Sequence, residues 1–187
     1  MIWVLPLALM SPGTVGESEV SLRAGFPWYG VGVARRFTSR LEVDLQIETA
    51  SFARWESRVE AGYALPLGAR WQLQPALSLG YADQRGELSV QGPQIGGSLT
   101  LSCHTCRFRP SLKLWDRELL SVRRTERLEG DDKTTGLKWE RLSSWAADLE
   151  ILFPFGERWA FETTFRFSEI DGRFAIPGLS LGLRRRL

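Results

Sequence analysis

Apolar and polar residues alternate one for one along this chain, in segment after segment. In Arg40-Leu41-Glu42-Val43-Asp44-Leu45-Gln46-Ile47-Glu48 every odd position is aliphatic and every even one polar, the mark of a β-strand with one apolar face and one wet face. Between Trp71 and Tyr81 the apolar set is Trp71, Leu73, Pro75, Leu77, Leu79 and Tyr81, aromatic at both ends and aliphatic between, against Gln72, Gln74, Ala76, Ser78 and Gly80. A strand of that length, rising ~3.3 Å per residue and tilted by ~40°, spans about 25 Å, the height of the apolar band of a membrane β-barrel between its aromatic girdles. Trp145, Ala147, Leu149, Ile151 and Phe153 oppose Asp148 and Glu150 in the same way, and Trp159, Phe161, Phe165 and Phe167 oppose Glu162, Thr164 and Arg166. Trp71, Tyr81, Trp145 and Trp159 are therefore the expected girdle residues. A soluble barrel around an apolar ligand would carry this alternation turned inside out, and it stands as the outside alternative.

Turn signals set the strand count. Leu65-Pro66-Leu67-Gly68-Ala69-Arg70-Trp71 matches Phe153-Pro154-Phe155-Gly156-Glu157-Arg158-Trp159 in a Pro-x-Gly-x-Arg-Trp core, which predicts two tight turns on one rim, joined there by a third at 35–41. Short turns mark the periplasmic side of such barrels and longer connections the outer side. Strands are expected near 18–26, 29–36, 40–50, 55–66, 70–82, 137–153, 158–169 and 173–184. The stretch 83–136 begins and ends on the outer rim and so holds either none or two more. Leu99 and Leu101, then Leu112 and Leu114 in the opposite parity after Pro110, favour two. The fold expected is all-β, an antiparallel up-and-down transmembrane barrel of about ten strands, with eight as the alternative. The polar run from Thr125 to Thr135 becomes an extracellular loop.

At 187 residues the chain is long enough to close one sheet and too short for two substantial cores. No run of about 18 apolar residues follows the N-terminus, so no helix is expected to cross a membrane. The short apolar segment Ile2 to Met10, then Pro12-Gly13 and the small residues Thr14-Val15-Gly16, reads as a signal peptide over 1–16 ahead of a single barrel domain over 17–187. The formal net charge is only +2 with both signs interspersed, which gives no footprint for nucleic acid. The basic cluster Arg184-Arg185-Arg186 reads as a solvated strand end.

On the proposed parity the polar faces carry Glu42, Asp44, Glu48, Glu60, Asp148, Glu150 and Glu162 against Arg23, Arg36, Arg58, Lys138, Arg166 and Arg184. Opposite charges in a narrow lumen are expected to pair, and barrels near this size are just wide enough for side chains to fill. Catalytic and metal chemistry find little to work with. The single histidine, His104, lies in Ser102-Cys103-His104-Thr105-Cys106. A redox Cys-x-x-Cys wants its first cysteine at a helix N-terminus, and a metal site of two Cys and one His lacks a fourth protein ligand. A local disulfide, Cys103 to Cys106, pinning a turn in an oxidising compartment is the plainer reading. Gly30-x-Gly32 lies within a strand, so it leaves space for a bulky neighbour rather than cradling a nucleotide.

The stretch from Gly30 to Val43, a Gly-rich strand leading through Arg36-Phe37-Thr38 into an alternating strand, resembles the strand-turn-strand idiom of small bacterial outer-membrane β-barrels of the OmpA type. The resemblance implies an outer-membrane location and a lipid bilayer around the chain. Two departures are plain: the last strand ends in Leu187 where such proteins usually end in an aromatic, and Pro75 sits mid-strand, where a bulge would accommodate it. The function expected is a non-enzymatic scaffold, anchor or component of an envelope assembly, without cofactor, with a charged and largely plugged lumen and an envelope protein as candidate partner through the outer loops. A small solute-conducting or lipid-handling barrel is the alternative.

Overall fold

The computed structural model describes residues 15–50, 54–84, 90–129, 132–170, 173–174 and 177–187, with backbone alone at 121–140 and at a few strand ends. The alternating segments form ten strands: β1 Ser18–Phe26, β2 Trp28–Arg36, β3 Leu41–Ala50, β4 Arg54–Tyr63, β5 Trp71–Gln84, β6 Val90–Cys103, β7 Arg109–Glu129, β8 Asp132–Phe155, β9 Trp159–Ile170 and β10 Gly178–Arg186. Each pairs antiparallel with its neighbours in sequence, and β1 pairs with β10 from Glu19↔Arg186 to Phe26↔Leu179. That last ladder closes the sheet into an up-and-down barrel with no free edge. Most of the expected signal segment lies outside the described residues.

Turn chemistry explains one rim. Gly68 and Gly156 sit at φ +73° and +69°, the left-handed conformation glycine adopts at least cost, and they end β4 and β8 in matching tight turns. Between β2 and β3 the Thr38 hydroxyl accepts hydrogen bonds from the Leu41 and Arg40 amides at 2.9 and 3.2 Å, a local cap that folds the chain back. The β6–β7 turn and both chain termini share this rim, called the short-turn rim, and the opposite, outer rim is the one from which β7 and β8 extend furthest.

Three expectations about the ladder change. Pro75 makes no bulge: Gly62↔Ala76 and Leu65↔Leu73 keep one register, and the missing amide merely interrupts pairing between β4 and the short segment Leu65–Leu67 that continues it. The last strand begins at Gly178 rather than 173, because Arg173–Phe174 turns back onto Ile170 and Glu169. The expected loop from Thr125 to Thr135 is mostly strand: β7 and β8 pair as far as Glu129↔Asp132. Charge and polarity led the sequence reading to a loop, yet backbone pairing in a two-stranded ribbon needs no apolar core beneath it.

The ribbon has no further strand beside it among the described residues. Pairing of β6 with β7 stops at Gln94↔Leu119, and pairing of β8 with β9 stops at Ser144↔Ile170. Joining Leu120 to Arg141, which are register partners, through an Asn-Gly turn is therefore expected to leave the barrel folded. The check is retention of the mobility shift between boiled and unboiled gel samples.

Candidate functional site: the charged barrel interior

Alternation sends most of the polar side chains within the barrel inward. The interior is built of ions, and its outer-rim half is the more tightly closed. Arg166 on β9 holds Asp148 on β8 with two hydrogen bonds, at 2.8 and 2.9 Å, and reaches across to Glu48 on β3 at 3.0 Å. Arg58 on β4 joins Glu48 at 3.1 Å and Glu56 at 2.7 Å. Arg117 on β7, only 2% exposed, meets Glu56 past the two intervening strands at 2.7 Å. Two tryptophans stack on arginines of this layer: the Arg117 guanidinium lies 3.8 Å from the Trp115 ring centroid and that of Arg166 lies 5.0 Å from Trp28. The Trp115 indole N–H also donates to Asp148 at 3.3 Å. A buried ion is tolerated only when paired and hydrogen-bonded, and here Glu48, Glu56, Arg58, Asp148 and Arg166 each bond more than one neighbour, while Arg117 bonds Glu56 alone and leaves Nε and one Nη without a hydrogen-bond partner.

Toward the short-turn rim the pairs continue and the space widens. Glu162, 1% exposed, is shared by Arg23 at 2.5 Å and Arg184 at 2.8 Å. Arg184 also holds Glu150 at 2.7 Å and Glu19 at 3.2 Å. Lys113 crosses from β7 to Glu60 on β4 at 2.5 Å, and Arg36 pairs with Glu42 at 2.9 Å. Asp44 accepts a hydrogen bond from the Gln46 side chain. A cavity of about 280 Å³ remains among these groups and is lined by residues down to the turn. Glycine makes room for the longest side chains. A Cβ at Gly96 would stand 2.6 Å from Arg117 Cγ, and one at Gly30 would stand 3.1 Å from Glu48 Cγ.

Of the residues singled out in the sequence, Glu42, Asp44, Glu48, Glu60, Asp148, Glu150, Glu162, Arg23, Arg36, Arg58, Arg166 and Arg184 all meet partners inside the barrel, whereas the side chain of Lys138 lies outside the described residues. Glu56, Lys113, Trp115 and Arg117 escaped notice. Their signal was the same alternation, since Leu112 and Leu114 outward imply Lys113, Trp115 and Arg117 inward. Asp116 and Glu118, which face outward, blur that pattern, and Glu118 binds Arg141 beyond the barrel wall.

The exterior is the inverse of the interior. Leu22, Leu45, Val59, Leu77, Leu79, Leu181 and their neighbours are exposed around the wall. Trp71 and Trp159 stand toward the short-turn rim and Tyr81 and Trp145 toward the other. Trp55 and Trp145 turn their indole N–H groups to Asp83 at 3.2 Å and Glu169 at 3.0 Å, the posture of aromatics at a membrane interface. A closed barrel with exposed aliphatics and buried arginines has the architecture of a bacterial outer-membrane β-barrel, and a lipid bilayer is the medium its exterior requires.

Cys103 and Cys106 are disulfide-bonded in the β6–β7 turn, with Cα atoms 5.7 Å apart. The His104 amide between them donates to the Arg70 carbonyl at 3.1 Å, tying this turn to the β4–β5 turn. No group of three metal-ligating side chains occurs among the described residues.

No protein-family model and no curated protein matches the sequence. Solved structures resemble the fold. The N-terminal β-barrel domain of Pseudomonas aeruginosa OprF is 11% identical with a TM-score of 0.42, over 91% of this chain and 96% of that one. The NanC porin is 12% identical with a TM-score of 0.45, over 92% and 100%. The translocator domain of the autotransporter NalP from Neisseria meningitidis is 9% identical with a TM-score of 0.42, over 92% and 87%.

Two outcomes follow from these contacts. Arg166→Ala strands the Asp148 carboxylate and weakens the hold on Glu48, so the barrel is expected to lose at least about 3 kcal/mol, read by urea unfolding in lipid vesicles. Replacing both Cys103 and Cys106 by Ser opens a very short loop and is expected to cost about 2 kcal/mol in the same assay.

Proposed function

We propose that the chain is a non-enzymatic scaffold or anchor in the outer membrane, a component of an envelope assembly, with its interior sealed by the ion-pair layer. The observation that carries this reading is the set of struts Glu48–Arg166, Glu56–Arg117 and Glu60–Lys113, the first joining β3 to β9 across the interior and the other two joining β4 to β7 past the two strands between them. A transported solute would have to break several of these pairs at once, and each separated charge would stay buried without compensation. Braced in this way, the barrel is a rigid pedestal.

The β7–β8 ribbon is what the pedestal carries beyond the outer rim. Its two long backbone edges have no neighbouring strand among the described residues, and an unpaired edge is a place where another protein can add a strand. An envelope protein is the class of partner this geometry suits. The single histidine supports a non-catalytic reading by its position. It stands in a rim turn closed by the disulfide and lines the cavity rather than the lipid-facing surface.

Planar-bilayer recording tests the seal. The purified chain is expected to insert without stepwise conductance, and Glu48→Ala combined with Arg166→Ala, which removes one charge of each sign, is expected to produce steps. A steady ion-conducting channel from the unaltered chain would overturn the sealed reading in favour of a solute-conducting barrel.

A further inference from the structure

Exposed charge is divided unequally between the two rims of the barrel. On the short-turn rim each of the four hairpin turns bears an exposed arginine: Arg35 and Arg40 flank the first, Arg70, Arg107 and Arg158 stand in the others, and the closing strand β10 adds Arg185. The carboxylates Glu17, Glu19 and Glu42 of this rim are held by Arg186, Arg184 and Arg36. Among the described residues no carboxylate stands within ion-pair distance of any of the six exposed arginines. The outer rim is the reverse. There the indoles of Trp55 and Trp145 face carboxylates, Asp83 and Glu169, and the exposed Arg141 is paired with Glu118.

The unpaired arginines belong to the outside of the wall. Arg35 follows Val31 and Val33 on the outward face of β2, and Arg185 follows Leu181 and Leu183 on that of β10. Same-face positions lie ~6.6 Å apart along a strand, or ~5 Å along the membrane normal at a tilt of ~40°. The headgroup layer adds about 5 to 7 Å beyond the hydrocarbon on each side, so these two guanidiniums stand at the depth of lipid phosphates. Outward-facing aromatics hold them and their neighbours there. The Arg185 guanidinium lies 5.1 Å from the Trp159 ring centroid, that of Arg35 5.6 Å from Phe37 and that of Arg107 5.7 Å from Phe108. Arg40 donates a hydrogen bond to the Tyr63 hydroxyl at 3.3 Å. A cation–π contact consumes none of the five guanidinium N–H donors, whose planar fork matches two phosphate oxygens.

We propose that the short-turn rim is a collar for anionic phospholipid, which binds the phosphodiester headgroups of the leaflet around it through Arg35, Arg40, Arg107 and Arg185 on the wall, with Arg70 and Arg158 adding charge from the turns. A zwitterionic headgroup sets its own ammonium against its phosphate and brings the collar no net charge, whereas an anionic headgroup brings one per lipid. An acidic protein docking on the mouth would be met by cations aimed along the barrel axis, and four of these six lie instead against rings of the outer wall. The collar stands whether or not the interior conducts.

The test is electron paramagnetic resonance of the full chain in phosphatidylcholine bilayers that carry a trace of spin-labelled phosphatidylglycerol or of spin-labelled phosphatidylcholine, which gives the ratio of the two association constants at the protein surface. A preference for the anionic lipid of about fivefold at this rim, hence about threefold averaged over both leaflets, is expected at low salt. Replacing all six arginines by glutamine is expected to bring the ratio to about one, while Arg141→Gln on the outer rim leaves it unchanged. Variants are compared after each has shown heat-modifiable gel mobility. If the sixfold variant does not fold, Arg35→Gln with Arg185→Gln, and Arg107→Gln with Arg158→Gln, carry the test, and each pair is expected to lower the preference. Equal association of the two lipids with the unaltered chain, a preference undiminished in the variants, or an equal loss from Arg141→Gln would overturn the proposal. Equal association together with salt-sensitive binding of soluble poly-glutamate would assign these arginines to an acidic polypeptide instead.

Discussion

Closure of the sheet is the constraint on which everything else in this molecule depends. Inside a bilayer no water satisfies an unpaired backbone amide or carbonyl, so a membrane-crossing sheet has to bond its first strand to its last. Here that bond is the ladder between β1 and β10. Once the sheet closes, the two-residue period of each strand becomes a radial division, with aliphatic side chains outside and ionic ones inside. The same alternation in an open sheet would leave both faces half-satisfied.

The interior follows from the narrowness that closure imposes. Side chains from opposite walls of a barrel this size can touch, and long charged ones touch best. Arginine serves where a single group has to reach several carboxylates, as Arg184 does with Glu19, Glu150 and Glu162. Its planar fork and weak hydration suit buried pairs better than a lysine ammonium would. The glycines beside these residues are part of the same economy of space. The wall thins at Gly30 and Gly96 so that Glu48 and Arg117 can lie flat against it.

The two ends of the barrel differ because their connections differ. On one rim, tight turns built on Gly68, Gly156, Thr38 and the Cys103–Cys106 disulfide frame the mouth of the cavity. On the other, β7 and β8 continue past their neighbours as a ribbon held only by its own hydrogen bonds. The more densely ion-paired half of the interior lies toward the ribbon and the wider half toward the turns. A barrel so divided has a densely ion-paired middle, a cavity on one side and a projecting ribbon on the other.

Much of this was legible in the sequence, because the strand period is local: each residue's face depends only on its neighbours. Alternation through Leu41 to Ile47 and Trp71 to Tyr81, together with the matched Pro-x-Gly-x-Arg-Trp turns, determined the strands, the membrane-facing side and the rim that carries the short turns. It also sent Arg58, Asp148, Glu162 and Arg166 inward. Choosing ten strands over eight was harder, since it rested on the broken pattern between Leu99 and Leu114. Which inward charge meets which was out of reach, because Glu48 and Arg166 are far apart in the chain and come together through the stagger of the closed ladder. Tertiary structure alone decided that Trp28 and Trp115 stack on arginines inside rather than standing in the girdle. It also decided that most of the run from Thr125 to Thr135 is ribbon rather than loop, and that Glu60 meets Lys113 from β7. Sequence period fixes the direction of a side chain, and only the closed register fixes its partner.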